Sequence, residues 1–110
     1  MEKVYNKLVR DKIPEIIEND GETPIVKTLN DNEYRIELEK KLKEEYEEVL
    51  SANGKEERLE ELADMLEIIS ALASLEDEDI QTVINIMDKK REKRGGFTKK
   101  LFLEKTIKKD

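Results

Sequence analysis

The chain is expected to fold as a mainly α, antiparallel helical bundle, and three observations predict this. Two long stretches repeat apolar residues at helical spacing on either side of a short Asn53-Gly54 link. Charged residues make up 45% of the 110 positions and aromatic residues only 5%, too few of the residues that β-sandwiches pack with. An amphipathic helix, by contrast, needs apolar residues at only about three positions in seven. A single domain over residues 1–110 follows, with a thin core. Long amphipathic helices over a thin core favour burial against a second copy.

Residues 1–10 mix Val4, Tyr5, Leu8 and Val9 with Lys3, Lys7 and Arg10. The two latter cations read either as surface charge or as groups held for an anion. Asp11 has the character of an N-cap, and Pro14 is tolerated in a first helical turn. A short helix over about 12–19 would bury Ile13, Ile16 and Ile17 and end at Asn19-Asp20-Gly21. Pro24 to Leu29 is a short β-like run. Asn30 followed by Glu33 makes a capping box for a helix over about 31–51. That helix stops near Ala52-Asn53-Gly54, and the short link makes the next, over about 56–75, its antiparallel neighbour.

In the 56–75 helix, Leu59, Leu62, Leu66, Ile69 and Ala73 form one apolar line, and Ile68, Leu72 and Leu75 another. Only Glu60, Glu67 and Ser74 mark a polar edge, so this helix is expected to be central and largely buried. The acids at 76–79 suit the start of a further helix, whose stripe is Ile80, Val83, Ile84 and Met87. The same line continues to Arg91 and Arg94, with Lys90 at its edge. Cations that extend a core stripe are aimed towards the body of the protein; charges that merely favour a helix C-terminus need not be. Gly95-Gly96 ends that helix, and glycines let backbone amides approach an anion closely. Residues 98–104 alternate loosely and can pair with 24–29 in a small β ladder.

Composition excludes much chemistry. Without cysteine there is no disulfide, thiolate nucleophile or iron–sulfur ligation, and without histidine there is no imidazole base or ordinary zinc site. The remaining ligands are oxygens, which select hard cations, Mg²⁺ first and Mn²⁺ as a substitute. A net charge of −7 argues against nucleic-acid binding. An anionic substrate would then need a metal or a local cationic patch. No stretch of about 18 apolar residues exists and the N-terminus lacks a signal-peptide pattern, so a cytoplasmic protein without membrane attachment is expected. No Gly-x-x-x-x-Gly-Lys-Ser/Thr loop is present, which removes P-loop chemistry.

Two acidic clusters remain, Glu44-Glu45-Tyr46-Glu47-Glu48 and Glu61-Leu62-Ala63-Asp64. On a helix, Glu45 and Glu48 share a face. Glu45 borders the apolar stripe, Glu48 lies one step further out, and Glu44 points nearly away. Glu61 and Asp64 continue the line of Ile68, Leu72 and Leu75. In a chain with 28 acids a run of glutamates is ordinarily a solvated helix face, so placement is what argues for a site. Carboxylates on an apolar line are costly unless a cation or metal meets them. A hairpin of the two helices can bring Glu45, Glu48, Glu61 and Asp64 together.

The pattern Glu-Glu-x-x-Glu, a gap of 12 residues, then Glu-x-x-Asp resembles the metal motif of the MazG superfamily of all-α nucleoside triphosphate pyrophosphohydrolases. Tyr5-Asn6-Lys7-Leu8-Val9-Arg10-Asp11-Lys12-Ile13-Pro14 and Arg94-Gly95-Gly96-Phe97 resemble a small stand-alone subgroup. Its members are described as predicted house-cleaning pyrophosphatases or as phosphoribosyl-ATP pyrophosphohydrolase-like. The likeness runs through nearly the whole chain in the expected order. It implies a helical bundle that forms homodimers, with dimers pairing into tetramers in some members. It also implies Mg²⁺-dependent cleavage between the α and β phosphates of a nucleotide, giving a monophosphate and pyrophosphate. By position, the metal ligands would be Glu45, Glu48, Glu61 and Asp64. Glu44 or Glu48 could position the attacking water, and Lys7, Arg10, Arg91 and Arg94 would contact phosphate. A non-catalytic nucleotide sensor on the same fold, or a helical interaction domain with solvated acids, are the competing expectations.

Overall fold

The computed structural model describes residues 1–110, which form four helices and no strand. These are α1 (Ile13–Asn19), α2 (Asp31–Ser51), α3 (Gly54–Ser74) and α4 (Ile80–Arg94). The architecture is therefore mainly α, as expected. The chain divides into two compact units, Met1–Ile80 and Gln81–Asp110, so α4 lies almost wholly in the second.

Local chemistry accounts for the helix ends. Pro14 sits in the first turn of α1, where its missing N–H would have had no partner. The N-cap position is Lys12, not the expected Asp11, and no side chain caps it. The first turn is closed by the Ile13 N–H donating to the Arg10 carbonyl at 3.0 Å, which moves the start one residue along. Ile13 and Ile17, one turn apart on one face, are half-buried, whereas Ile16 stays exposed. The capping box of α2 is present in full. Asn30 Oδ1 accepts from the Glu33 N–H at 2.8 Å, and Glu33 Oε1 accepts from the Asn30 N–H at 3.3 Å.

α2 and α3 form an antiparallel hairpin. Gly54 takes φ 85°, a left-handed conformation open to glycine at little cost. The Arg58 guanidinium donates to the Ala52 carbonyl at 3.3 Å, and the Asn53 N–H donates to Glu57 Oε2 at 3.2 Å. At the far end of the hairpin Arg35 pairs with Glu76 at 3.2 Å. The buried apolar residues are few: Leu38 on α2, Ala52 in the link, and Ile68 and Ala73 on α3.

α3 is not the largely buried central helix expected of it. Ile68 and Ala73 are buried, but Leu59, Leu62 and Leu66 are exposed, Leu66 by 56%. One neighbouring helix covers one face, and a helix with two apolar lines then keeps the other in water. α3 ends where Asp77 adopts φ 58°, with the Glu78 N–H returning to the Ala73 carbonyl at 3.1 Å. Asp tolerates this left-handed geometry better than most residues.

In the second unit α4 closes on Gly95 at φ 84°, whose N–H donates to the Arg91 carbonyl at 2.7 Å. The expected pairing of 24–29 with 98–104 does not form, and neither segment is a strand. Ile25, Val26, Leu101, Phe102 and Leu103 are all exposed. Each run is short and broken by lysines, and a lone two-stranded ladder gains too little apolar burial to order its backbone. No helix is long and apolar enough to cross a membrane.

Candidate metal centre

The α2 face turned towards α3 carries Leu38, Leu42, Glu45, Val49 and Ala52, spaced alternately by four and three residues. All five are buried or half-buried. On α3, Glu61, Asp64, Ile68, Leu72 and Leu75 hold the corresponding line, again buried or half-buried. This spacing is the seam of two packed helices. Glu45 and Glu61 therefore stand in seam positions otherwise filled by aliphatic side chains.

The consequence is a compact acidic triad. One carboxylate oxygen from each of Glu45, Glu61 and Asp64 lies within 4.8 Å of the others. Glu45 Oε2 and Glu61 Oε2 are shut off from solvent and have no hydrogen-bond partner. Two carboxylates facing each other have only acceptors to offer, so the contact requires a shared proton or a cation. The pKa of each is raised. The Glu61 carboxyl is pushed up to about 8 because a proton on it could bond first to Glu48 and then to Glu45, with burial and repulsion adding to it. That of Glu45 is raised chiefly by burial, with Glu48 and Asp64 contributing.

The other candidate residues are placed differently. Glu48 is exposed and interacts with Glu45 and Glu61, at the rim of the triad and outside its tight group. Glu44 does not point freely outward as the helical wheel implied. It is half-buried and accepts from Lys7 Nζ at 3.2 Å. Arg10 Nη2 meets Asp64 Oδ1 at 2.7 Å, so a cation already touches one member of the triad. Arg91 and Arg94 belong to the second unit; both are exposed, and Arg91 pairs with Asp88 at 3.7 Å.

The pairings of Lys7 with Glu44 and Arg10 with Asp64 were not legible in the sequence. Partners 37 and 54 positions apart leave no local spacing signal. The only cue was two cations in a segment too short to have a core of its own.

The donor set fits a hard divalent ion. Three carboxylates converge, two of their oxygens are orphaned, and a fourth acid stands beside them, an all-oxygen set of the kind Mg²⁺ and Mn²⁺ take. Neither a protein-family model nor a solved structure matches this chain. It is similar to an uncharacterized protein of Mycolicibacterium smegmatis, with 46% identity over 54 residues. The matched stretch covers 49% of this chain and 55% of that relative, so the chain spans about half of the relative's length.

Proposed function

We propose that the protein is a Mg²⁺-dependent nucleotide pyrophosphohydrolase. It would cleave the α–β phosphoanhydride of a nucleoside triphosphate or related nucleotide to a monophosphate and pyrophosphate in the cytoplasm. The observation that carries this reading is the pair of solvent-shielded, unpartnered oxygens of Glu45 and Glu61, converging with Asp64 within 4.8 Å. A carboxylate pair in a helical seam destabilises the hairpin unless a cation is present. A fold that tolerates it is suited to holding one.

Glu45, Glu61 and Asp64 would hold the ion, with Glu48 as a further ligand at the rim; Mn²⁺ would substitute for Mg²⁺. Bound there, the ion would offset phosphate charge and acidify water. The chain's own residues would do the rest. Glu48, exposed beside the triad, would accept a proton from an attacking water. Glu44 would serve by holding Lys7. Lys7 and Arg10 would contact the phosphates, where a guanidinium stabilises charge that grows during phosphoryl transfer; Arg91 and Arg94, in the second unit, carry that role from the resemblance alone.

The reading includes a homodimer. Leu59, Leu62 and Leu66 on α3, with Ile36, Tyr46 and Leu50 on α2, leave large side chains exposed along both helices of the hairpin. Burying them against a second copy would complete a four-helix core.

The test is a panel of nucleoside triphosphates with Mg²⁺, assayed separately for pyrophosphate and orthophosphate. Pyrophosphate release that disappears on chelation is expected. Absence of turnover, with nucleotide and Mg²⁺ still raising the melting temperature, would point to a nucleotide sensor instead. No shift with either would sink both.

A further inference from the structure

Residues 1–12 cross the α2–α3 hairpin without belonging to it. No backbone hydrogen bond ties residues 1–9 to the helices, and among 1–12 only Leu8 is half-buried. Two ion pairs supply the remaining attachments. Lys7 reaches Glu44 on α2 and Arg10 reaches Asp64 on α3. Asn6, at φ 47°, puts a left-handed bend just before Lys7, a conformation asparagine accepts more readily than most residues. The segment is thus a strap, bent at Asn6 and pinned at one carboxylate of each helix.

The two pins differ. Glu44 lies outside the acidic triad, whereas Asp64 is one of its three members. The Arg10 and Asp64 side chains are 60% and 40% exposed, and a solvated ion pair of this kind is weak and readily exchanged. A divalent ion held by Glu45, Glu61 and Asp64 would compete with Arg10 for the same carboxylate. It would also repel the guanidinium across a few ångströms of partly shielded space.

We infer that Arg10 is the counter-ion of the acidic triad, and that metal binding displaces its side chain from Asp64 while Lys7 stays on Glu44. This rests on the metal-centre reading above and adds an order of events to it. Without metal, the triad repels an anionic substrate and the nearest guanidinium is engaged. With metal, the same step that makes the site attractive to phosphate releases Arg10 beside it. Arg10 is in this sense a positioning residue, stored on Asp64 until the ion arrives.

The experiment uses the full chain, Mg²⁺ alone as the probe, and two readouts independent of turnover. The first is limited trypsin digestion. Cleavage after Arg10 requires its side chain to leave Asp64, so its rate tracks the open population when opening is fast. Saturating Mg²⁺ should speed that cleavage up to about fivefold, the range an exposed ion pair allows. A ligand that merely stabilises the protein would slow it. The second is calorimetric titration with Mg²⁺. Because the coupling is reciprocal, Arg10→Gln should bind Mg²⁺ up to about fivefold more tightly than wild type, and Arg10→Lys should fall between them. Arg10 is exposed enough that neither variant threatens the fold.

If Mg²⁺ binds and cleavage after Arg10 is unchanged or slowed, Asp64 serves ion and guanidinium together through its two oxygens, and the displacement is wrong while the metal centre stands. If Mg²⁺ does not bind wild type at all, the metal centre itself is wrong and the displacement falls with it.

Discussion

Glu45 and Glu61 occupy places in the α2–α3 seam that leucine or isoleucine would fill, and this sets their behaviour. With its carboxyl pushed up to about 8, Glu61 carries a proton in the folded, metal-free protein at neutral pH, whereas in the unfolded chain it ionises near 4.5. The folded state therefore holds the extra proton between these values. Its contribution to stability is complete below about 4.5 and is lost as pH rises through about 8. The melting temperature of chelated protein should fall across that window, and Glu61→Gln should flatten the fall, since an amide neither titrates nor repels. A wild-type profile as flat as the variant's would refute the proton-sharing account. Mg²⁺ prefers the ionised carboxylate, so its stabilising effect should grow over the same interval. Asp64→Asn tests the site's chemistry directly. Changing groups that only support metal ligands already costs about 10- to 100-fold in activity, so loss of a ligand should cost at least ~100-fold in kcat/KM. Full Mg²⁺-dependent activity in this variant would remove Asp64 from the ligand set.

At the scale of the element, the hairpin is stabilised by features visible in short windows. The reciprocal bonds of Asn30 and Glu33 start α2, and α2 supplies Leu38, the most buried apolar residue, at 3% exposure. Asn30→Ala should cost about 1 kcal/mol, the ordinary worth of an N-cap, read as a lower urea midpoint with an unchanged slope. In a fold whose buried apolar set is four residues, that is a sizeable share of stability. A midpoint indistinguishable from wild type would mean that packing of the α2 face alone positions the helix start.

The whole molecule is unevenly charged and incompletely covered. Residues 1–80 carry 24 acids against 11 cations, a net −13, and residues 81–110 carry 4 acids against 10 cations, a net +6. The acid-rich unit is also the one that leaves Leu59, Leu62 and Leu66 in water along α3. Under the dimer reading, Leu66→Glu should break association. Each buried leucine contributes roughly 1.5–3 kcal/mol and a two-fold interface loses it twice, so association should weaken at least ~100-fold. Sedimentation equilibrium should then report the 12.9 kDa monomer at concentrations where wild type is twice that mass. A wild-type monomer, or a variant dimer of unchanged affinity, would locate the exposed leucines away from any self-interface.

The helices were legible in the sequence because their causes are local. Apolar spacing, the Asn30–Glu33 box, Pro14 in a first turn and the glycines at 54 and 95 all act within a few residues, and the helix bounds follow from them. Asp11, a good cap by residue type, does not cap α1, and 24–29 and 98–104 form no ladder, because backbone pairing needs burial that neither run obtains. Glu61 and Asp64 stand out in the sequence by the cost of acids on an apolar line. Which acids meet was decided only by the register of α2 against α3. That register sets Glu45 opposite Glu61 and leaves Glu48 at the rim, while the path of residues 1–12 brings Lys7 to Glu44. The bond between Arg10 and Asp64 likewise joins residues 54 positions apart, a distance over which only the folded chain, and no periodicity, brings charges together.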